Sequence, residues 1–149
     1  AALNPYRENL SWVFAEQLVL PGDLPAQIAD VIHIAGLLKL NDPSSERAEQ
    51  LLEAAESVNG KQPPAWGVWS SDLNTAAIAT VRGQFDTAME YLNSAWDKKW
   101  RLGWRATLLE DVIFSQLRNE PGYQELLTRF EADMEQQREM AYEIMELDK

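Results

Sequence analysis

Apolar residues along most of the chain recur every three or four positions, the spacing that places side chains on one face of an α-helix. The 7 glycines and 7 prolines fall mainly between these runs, where such residues end helices. The pattern predicts helices over 6–20, 24–40, 71–82, 86–99, 102–117 and 121–147. It predicts one more helix that Ser44 or Ser45 caps and that ends at Asn59. No stretch alternates as a β-strand does, so we expect an all-α chain.

Two of these helices carry the same pattern of small and large residues 40 positions apart. The matched positions are Gly36 and Ala76, Ala48 and Ala88, Leu52 and Leu92, and Ala55 and Ala95. Two helices of a hairpin approach closely only where their side chains are small, and the large residue fills the gap to the next hairpin. The repeat therefore predicts helix pairs that cross at these positions.

This spacing resembles that of the tetratricopeptide repeat family, which has a period of 34 residues. The stretch from Gly83 to Leu92 matches the turn and second helix of that repeat. The unit at 32–55 matches less well, because it has Ser45 at the position that corresponds to Phe85. The extra residues of the longer period are assigned to the 60–70 region. The resemblance covers about 24–130 and implies stacked antiparallel helical hairpins.

The stretch 117–127 resembles the last repeat of helical-repeat domains that close many bacterial regulatory and signalling proteins. In those proteins the domain follows a DNA-binding or catalytic module. This resemblance implies that the chain is the C-terminal part of a larger bacterial signalling or transcription-regulating protein.

Together these features predict a short α-solenoid of the tetratricopeptide type with a long C-terminal capping helix. We expect one domain, 1–149, built from an N-terminal helix at 1–23, a first hairpin at 24–60, an inserted connection at 61–70, a second hairpin at 71–100, and a third hairpin with the cap at 101–149.

Composition narrows the function. The chain has 13 Lys and Arg against 24 Asp and Glu, a formal net charge of −11, which repels nucleic acid and anionic membranes. It has no cysteine, and its one histidine, His33, has no serine or carboxylate at a spacing that marks a catalytic triad. No apolar run is long enough to span a membrane. We therefore expect neither an enzyme nor a metal or cofactor site, and the compartment is not readable.

Acidic residues form two rows at helical spacing. The rows are Glu46, Glu49, Glu53 and Glu56, and Glu131, Glu135, Glu139 and Glu143. Like charges four residues apart on a helix destabilise it by a few tenths of a kcal/mol per pair. The rows are either solvated faces or surfaces that a basic partner, or basic residues of this chain, compensate.

The positive charge concentrates at 96–105, where Trp96, Trp100 and Trp104 stand four residues apart. The tryptophans form either a packing stripe between the fifth and sixth predicted helices or part of a patch for an acidic peptide. Trp66 and Trp69 lie in the inserted connection, where they either pin it down or line a binding surface.

The tetratricopeptide resemblance implies that the first helix of each pair forms the binding face. The residues assigned to partner binding are Asn74, Thr75, Ile78, Arg82, Arg101, Arg105 and Leu108, with Trp66, Trp69 and Trp100. We expect a protein-interaction or regulatory module whose partner is a protein or peptide, with an acidic ligand favoured. Two alternatives stay open: self-association as a homodimer through the Trp-rich segment, and a sensory domain that binds a small effector near Trp66, Trp69 and Trp100.

Overall fold

The helical prediction is confirmed in the computed structural model, which describes residues 10–61, 67 and 70–147 and, for 146 and 147, only the backbone. The α-helices are α1 (Leu24–Asn41), α2 (Glu46–Val58), α3 (Ser70–Val81), α4 (Phe85–Asp97) and α5 (Pro121–Leu147). Short helical turns occupy Ser11–Phe14, Ala106–Glu110 and Phe114–Leu117. These described residues contain no β-strand.

The chain forms two compact units. The N-terminal unit is Ala1–Trp100 and the C-terminal unit is Arg101–Lys149. The division falls where the sequence predicts the second hairpin to end and the third to begin. The organisation as a single domain stays a prediction.

In the N-terminal unit, α1 packs against α2, α3 packs against α4, and α1 also contacts α3. The small residues of the 40-residue repeat are all buried, and so are the leucines between them. The fully enclosed set includes Ala48, Leu52, Ala55, Ala76, Ala88, Leu92 and Ala95, each with no exposed surface. The sequence pattern thus marks the core of this unit correctly.

Local signals set several helix boundaries. The Ser45 hydroxyl accepts a hydrogen bond from the Ala48 amide at 3.3 Å, which confirms one of the two predicted caps of α2. Pro25 lies in the first turn of α1, and α5 begins at Pro121, as the sequence predicts. A proline at these positions removes no helical hydrogen bond and supplies the backbone angle that a helix needs.

Two helices end in the same left-handed turn. At the end of α3, Gly83 has a φ of 73° and its amide donates to the Thr80 carbonyl, while the Gln84 amide donates to Ala79. At the end of α4, Lys99 has a φ of 66° and occupies the position of Gly83. These paired bonds satisfy carbonyls that a helix end otherwise leaves free. Lys99 carries a side chain in a conformation that favours glycine.

The predicted helix at 6–20 is corrected where the structure describes it. A single turn, Ser11–Phe14, gives way to extended backbone at Ala15. Arg47 on α2 donates from Nη2 to the carbonyls of Ala15 and Glu16 at 2.8 and 3.1 Å. These carbonyls would bond to backbone amides in a continuing helix, so the contact with Arg47 replaces helical bonds that the local pattern predicts.

The predicted helix at 102–117 is also corrected, because it breaks at Asp111. The turn Ala106–Glu110 ends there, and Asp111 adopts extended angles. Its carboxylate accepts a hydrogen bond from the Ile113 amide at 2.8 Å, and a second turn, Phe114–Leu117, follows. An aspartate that binds a nearby amide competes with helical bonding in this way.

The core of the C-terminal unit lies along the first half of α5. Tyr123, Leu126 and Phe130 recur at helical spacing and have no exposed surface. The Tyr123 hydroxyl donates to the Leu108 carbonyl at 2.6 Å. Burial raises the pKa of the Tyr123 phenol above its ordinary value of 10.0. The side chain therefore holds its proton as a donor inside the unit.

The left-handed turn predicts a stabilising substitution. We expect Lys99→Gly to raise the free energy of unfolding by about 1 kcal/mol, because glycine removes the steric cost of the positive φ. Gly83→Ala should lower it by about 1 kcal/mol through strain alone, since nothing lies within 4 Å of a Cβ added there. Urea unfolding measures both. Lys99→Ala is the control, because it removes the charge but keeps the Cβ; equal stability of Lys99→Ala and Lys99→Gly contradicts the prediction.

The buried phenol predicts a pH dependence. Below pH 10 we expect Tyr123→Phe to lower the free energy of unfolding by about 1–2 kcal/mol, because the Leu108 carbonyl loses its donor. Above pH 10 the unfolded chain releases the Tyr123 proton while the folded chain retains it. The native protein therefore loses stability there, and the gap to Tyr123→Phe narrows.

Urea unfolding between pH 8 and pH 11 tests this dependence. The exposed Tyr142 provides the matched control, since Tyr142→Phe removes a hydroxyl that has no buried carbonyl as its partner and should change the free energy of unfolding little. A gap between the native protein and Tyr123→Phe that stays constant across this range contradicts the assignment.

Candidate partner-binding surfaces

The residues assigned to partner binding on α3 face its neighbour α2. Asn59, at the end of α2, donates from Nδ2 to the Thr75 hydroxyl at 2.8 Å and to the Ser71 carbonyl at 3.0 Å. Asn74 donates back to the Asn59 side-chain oxygen at 3.3 Å. Ile78 is 2% exposed. This side of α3 forms an internal contact of the N-terminal unit.

Arg82 completes the same contact. Its Nη1 and Nη2 atoms donate to the two carboxylate oxygens of Glu56 at 2.6 and 3.1 Å, and its Nε atom donates to Glu49 at 2.8 Å. These bonds, those to Glu56 above all, raise the pKa of the guanidinium. Lys39 on α1 lies 3.8 Å from Glu49. Basic residues of this chain thus compensate part of the acidic row on α2.

The helical spacing places Asn74, Ile78 and Arg82 on one face of α3. Asn74 and Arg82 bond to Asn59 and Glu56, and Ile78 is buried. Their assignment to partner binding stays a prediction. A ligand for Arg82 would have to displace two carboxylates that already hold it in a forked geometry.

A buried carboxylate holds α3 to the end of α4. Asp72 is 6% exposed and accepts hydrogen bonds from the Ser94 hydroxyl at 2.8 Å and from Lys98, whose Nζ lies 2.7 Å away. A buried charge is tolerated when it is paired and hydrogen-bonded in this manner. Asp72 and Lys98 therefore serve the packing of the unit.

The tryptophan assignments divide. Trp100 and Trp104 are buried, at 1% and 3% exposure, and Trp96 is half-buried. This burial agrees with the packing interpretation of Trp100, and its assignment to partner binding stays a prediction. Trp66 and Trp69 lie outside the described residues, so their assignments stay predictions.

In the C-terminal unit, two arginines flank a pair of stacked rings. The rings of Trp104 and Phe130 lie 5.0 Å apart and 14° from parallel. The Arg101 guanidinium lies 5.6 Å from the Phe130 ring centre, and its Nε donates to Asp133 at 2.7 Å. Arg105 lies 5.0 Å from the Trp104 ring centre. Cation–π contacts of this kind stabilise a partly exposed site.

The two arginines differ in how available they are. Arg101 is engaged by Phe130 and by Asp133. The Arg105 side chain is 64% exposed and lies 3.9 Å from Glu131, itself exposed. A pair at that distance in solvent contributes little. Arg105 is thus the most accessible of the assigned arginines, whereas Leu108 is buried.

A surface that the assignments missed occupies the second half of α5. Every residue from 135 to 145 is exposed, and we call this segment the exposed end of α5. It carries four large apolar side chains: Met140, Tyr142, Ile144 and Met145, exposed by 47, 59, 63 and 57%. The sequence signal was present, since Met140 and Ile144 continue the helical spacing of Leu126 and Phe130. Spacing alone could not show that the packing stops before they are reached.

The acidic row on α5 borders these apolar side chains. Arg138 pairs with Glu135 one turn away, and Arg105 with Glu131. Over the described part of the chain, Glu139 and Glu143 form no ion pair with a basic side chain. The two acidic rows therefore differ, because the row on α2 meets Arg82 and Lys39 while the end of this one meets solvent.

Other kinds of site are not evident in the described residues. They contain no cluster of three or more His, Cys, Asp or Glu side chains that could hold a metal ion. None of the helices described there has the combination of length and apolar character that crossing a membrane requires. No protein-family model, curated protein or solved structure matches the chain.

The forked contact of Arg82 predicts a structural role. We expect Arg82→Gln to lower the free energy of unfolding by about 1–2 kcal/mol, because two half-exposed carboxylates lose their partner. Arg82→Lys should recover part of this loss, since lysine keeps the charge but not the fork. Urea unfolding is the measurement, and the exposed Arg105→Gln, with a change below about 0.5 kcal/mol, is the control.

A double-mutant cycle attributes the effect to the contact. Arg82→Gln and Glu56→Gln, alone and together, should show a coupling of about 1 kcal/mol. Additive losses, with no coupling, contradict the assignment of Arg82 to the contact between α2 and α3.

Proposed function

We propose that the chain is a protein-interaction module and that its contact surface is the exposed end of α5. The observation that carries this proposal is the presence of four large exposed apolar side chains on the same short stretch of α5, Met140, Tyr142, Ile144 and Met145. Single exposed apolar residues are common on protein surfaces, but neighbouring ones that form a patch mark an interaction site, and Met140 and Ile144, four residues apart, are neighbours on one face of α5. Two of the four are methionines, whose flexible side chains adapt to partners of different shape.

The architecture of the N-terminal unit supports the same function. Two helical hairpins with small buried residues at their crossings, and a contact between their first helices α1 and α3, are features of the tetratricopeptide type of repeat. We include in the proposal that these hairpins stack as the start of a short solenoid. Repeats of this type are scaffolds for binding proteins and peptides, and the regulatory role implied by 117–127 belongs to the same proposal.

An acidic peptide is a less well supported ligand for this module than an apolar partner. Arg82 and Arg101, two of the three arginines assigned to it, already pair with carboxylates of their own units. Arg105 has only a long, exposed ion pair with Glu131, and one exposed cation provides little affinity or specificity. The apolar side chains at the exposed end of α5, by contrast, remain largely exposed to solvent.

The proposal predicts the effect of removing the apolar side chains. We expect the triple variant Met140→Gln, Ile144→Gln and Met145→Gln to lose proteins that the native chain captures by in-cell cross-linking. The fold should be unchanged, because the three positions are exposed and glutamine is a good helix former. Quantitative mass spectrometry of the captured proteins and urea unfolding provide the two readouts.

The chain offers a matched control of equally exposed apolar residues outside α5. The control variant is Val19→Gln, Leu20→Gln and Leu40→Gln, whose native side chains are 68, 45 and 51% exposed. It should retain the captured proteins. If the α5 variant and the native chain capture the same proteins at the same level, the proposed contact surface is wrong.

A further inference from the structure

We infer that the exposed end of α5 binds one class of partner, an amphipathic helix whose apolar stripe is flanked by lysine or arginine. This inference rests on the proposed function and specifies the chemistry of the partner. It follows from the position of the acidic row beside the apolar cluster.

Helical geometry places the two features side by side. Successive residues are about 100° apart around a helix, so Met140 and Ile144 lie about 40° apart and form a stripe along the axis. Glu143 lies about 60° from Met140, on the side away from Ile144, and Glu139 lies next to Glu143 in the same row. The surface is thus an apolar stripe with a negatively charged border.

The negative border lacks compensation within the described residues. Arg138 pairs with Glu135, while no basic side chain pairs with Glu139 or Glu143 there. Like charges four residues apart destabilise a helix slightly, and a cation brought by a partner removes that cost. Complementary charge at the rim of an apolar contact also speeds association and excludes like-charged partners.

A helix is the partner shape that matches a straight stripe on another helix. Leucine or isoleucine at heptad spacing can pack against Met140 and Ile144 as in paired helices. Lysine or arginine at the flanking heptad positions then reaches Glu139 and Glu143. The stripe selects for apolar spacing, and the border selects for positive charge.

A second copy of this chain is a poorer occupant. It would bring an identical acidic border against the first, and like charges at an interface are repulsive. An anionic lipid surface is disfavoured by the same charge.

The test uses three synthetic helical peptides as probes. The basic probe has leucine at the heptad core positions and lysine at the flanking positions, the acidic probe replaces lysine with glutamate, and the polar probe keeps lysine but replaces leucine with serine. Fluorescence anisotropy measures their binding to the full chain in low salt and in 0.5 M NaCl. We expect the basic probe to bind at least about tenfold more tightly than either other probe, with weaker binding in high salt.

Charge reversal locates the interaction. Glu139→Lys with Glu143→Lys should weaken binding of the basic probe at least about tenfold and strengthen binding of the acidic probe. Glu53→Lys with Glu90→Lys makes the same change of net charge at exposed positions of the N-terminal unit and should leave the preference unchanged. Met140→Gln with Ile144→Gln should weaken the basic probe while both glutamates remain.

Several outcomes overturn the inference. Equal affinity for the basic and acidic probes overturns it. Equal effects of the two charge reversals also overturn it, because they would show that only the net charge matters. Self-association that disappears in the α5 glutamine variant assigns the surface to a second copy instead. If that variant loses captured proteins but the probes are not distinguished, the partner chemistry is wrong and the proposed function stands; unchanged capture removes the proposed function itself.

Discussion

The N-terminal unit depends on helix crossings that only small side chains allow. Ala48, Ala76 and Ala88 are completely enclosed, and side chains as small as these are what a close helix crossing requires. Polar contacts lie beside this core, since Arg82 pairs with Glu49 and Glu56 on α2 and Asn74 donates to Asn59 at the end of that helix. A larger residue at one of the enclosed positions would overpack the core.

Features with a local cause could be predicted from the sequence, and features with a distant cause could not. The helices over 24–40 and 71–82, the Ser45 cap and the start of α5 each depend on residues within one or two turns. The break after Ser11–Phe14 depends on Arg47, more than thirty residues away. The helical spacing also places Ile78 and Arg82 on one face of α3, as the structure does. Spacing alone cannot predict which neighbouring helix covers that face.

The same acidic pattern has two physical meanings in this chain. On α2 the row is part of an internal contact, since Arg82 binds both Glu49 and Glu56. On α5 the row continues past the last buried residue and its end is exposed. The net charge of −11 therefore does not describe one uniform surface. It is partly neutralised inside the N-terminal unit and remains available at the exposed end of α5, and only the arrangement of the helices distinguishes the two.

The exposed end of α5 is helical without being packed, and this has a consequence for binding. Nucleation is the unfavourable step of helix formation. In α5 the packed first half, with Tyr123, Leu126 and Phe130, provides the nucleus. Each further turn then adds hydrogen bonds to an existing helix, and the pair between Arg138 and Glu135 adds a small contribution. The proposed contact surface is therefore ordered before any partner binds, so the proposed binding would cost this chain little conformational entropy.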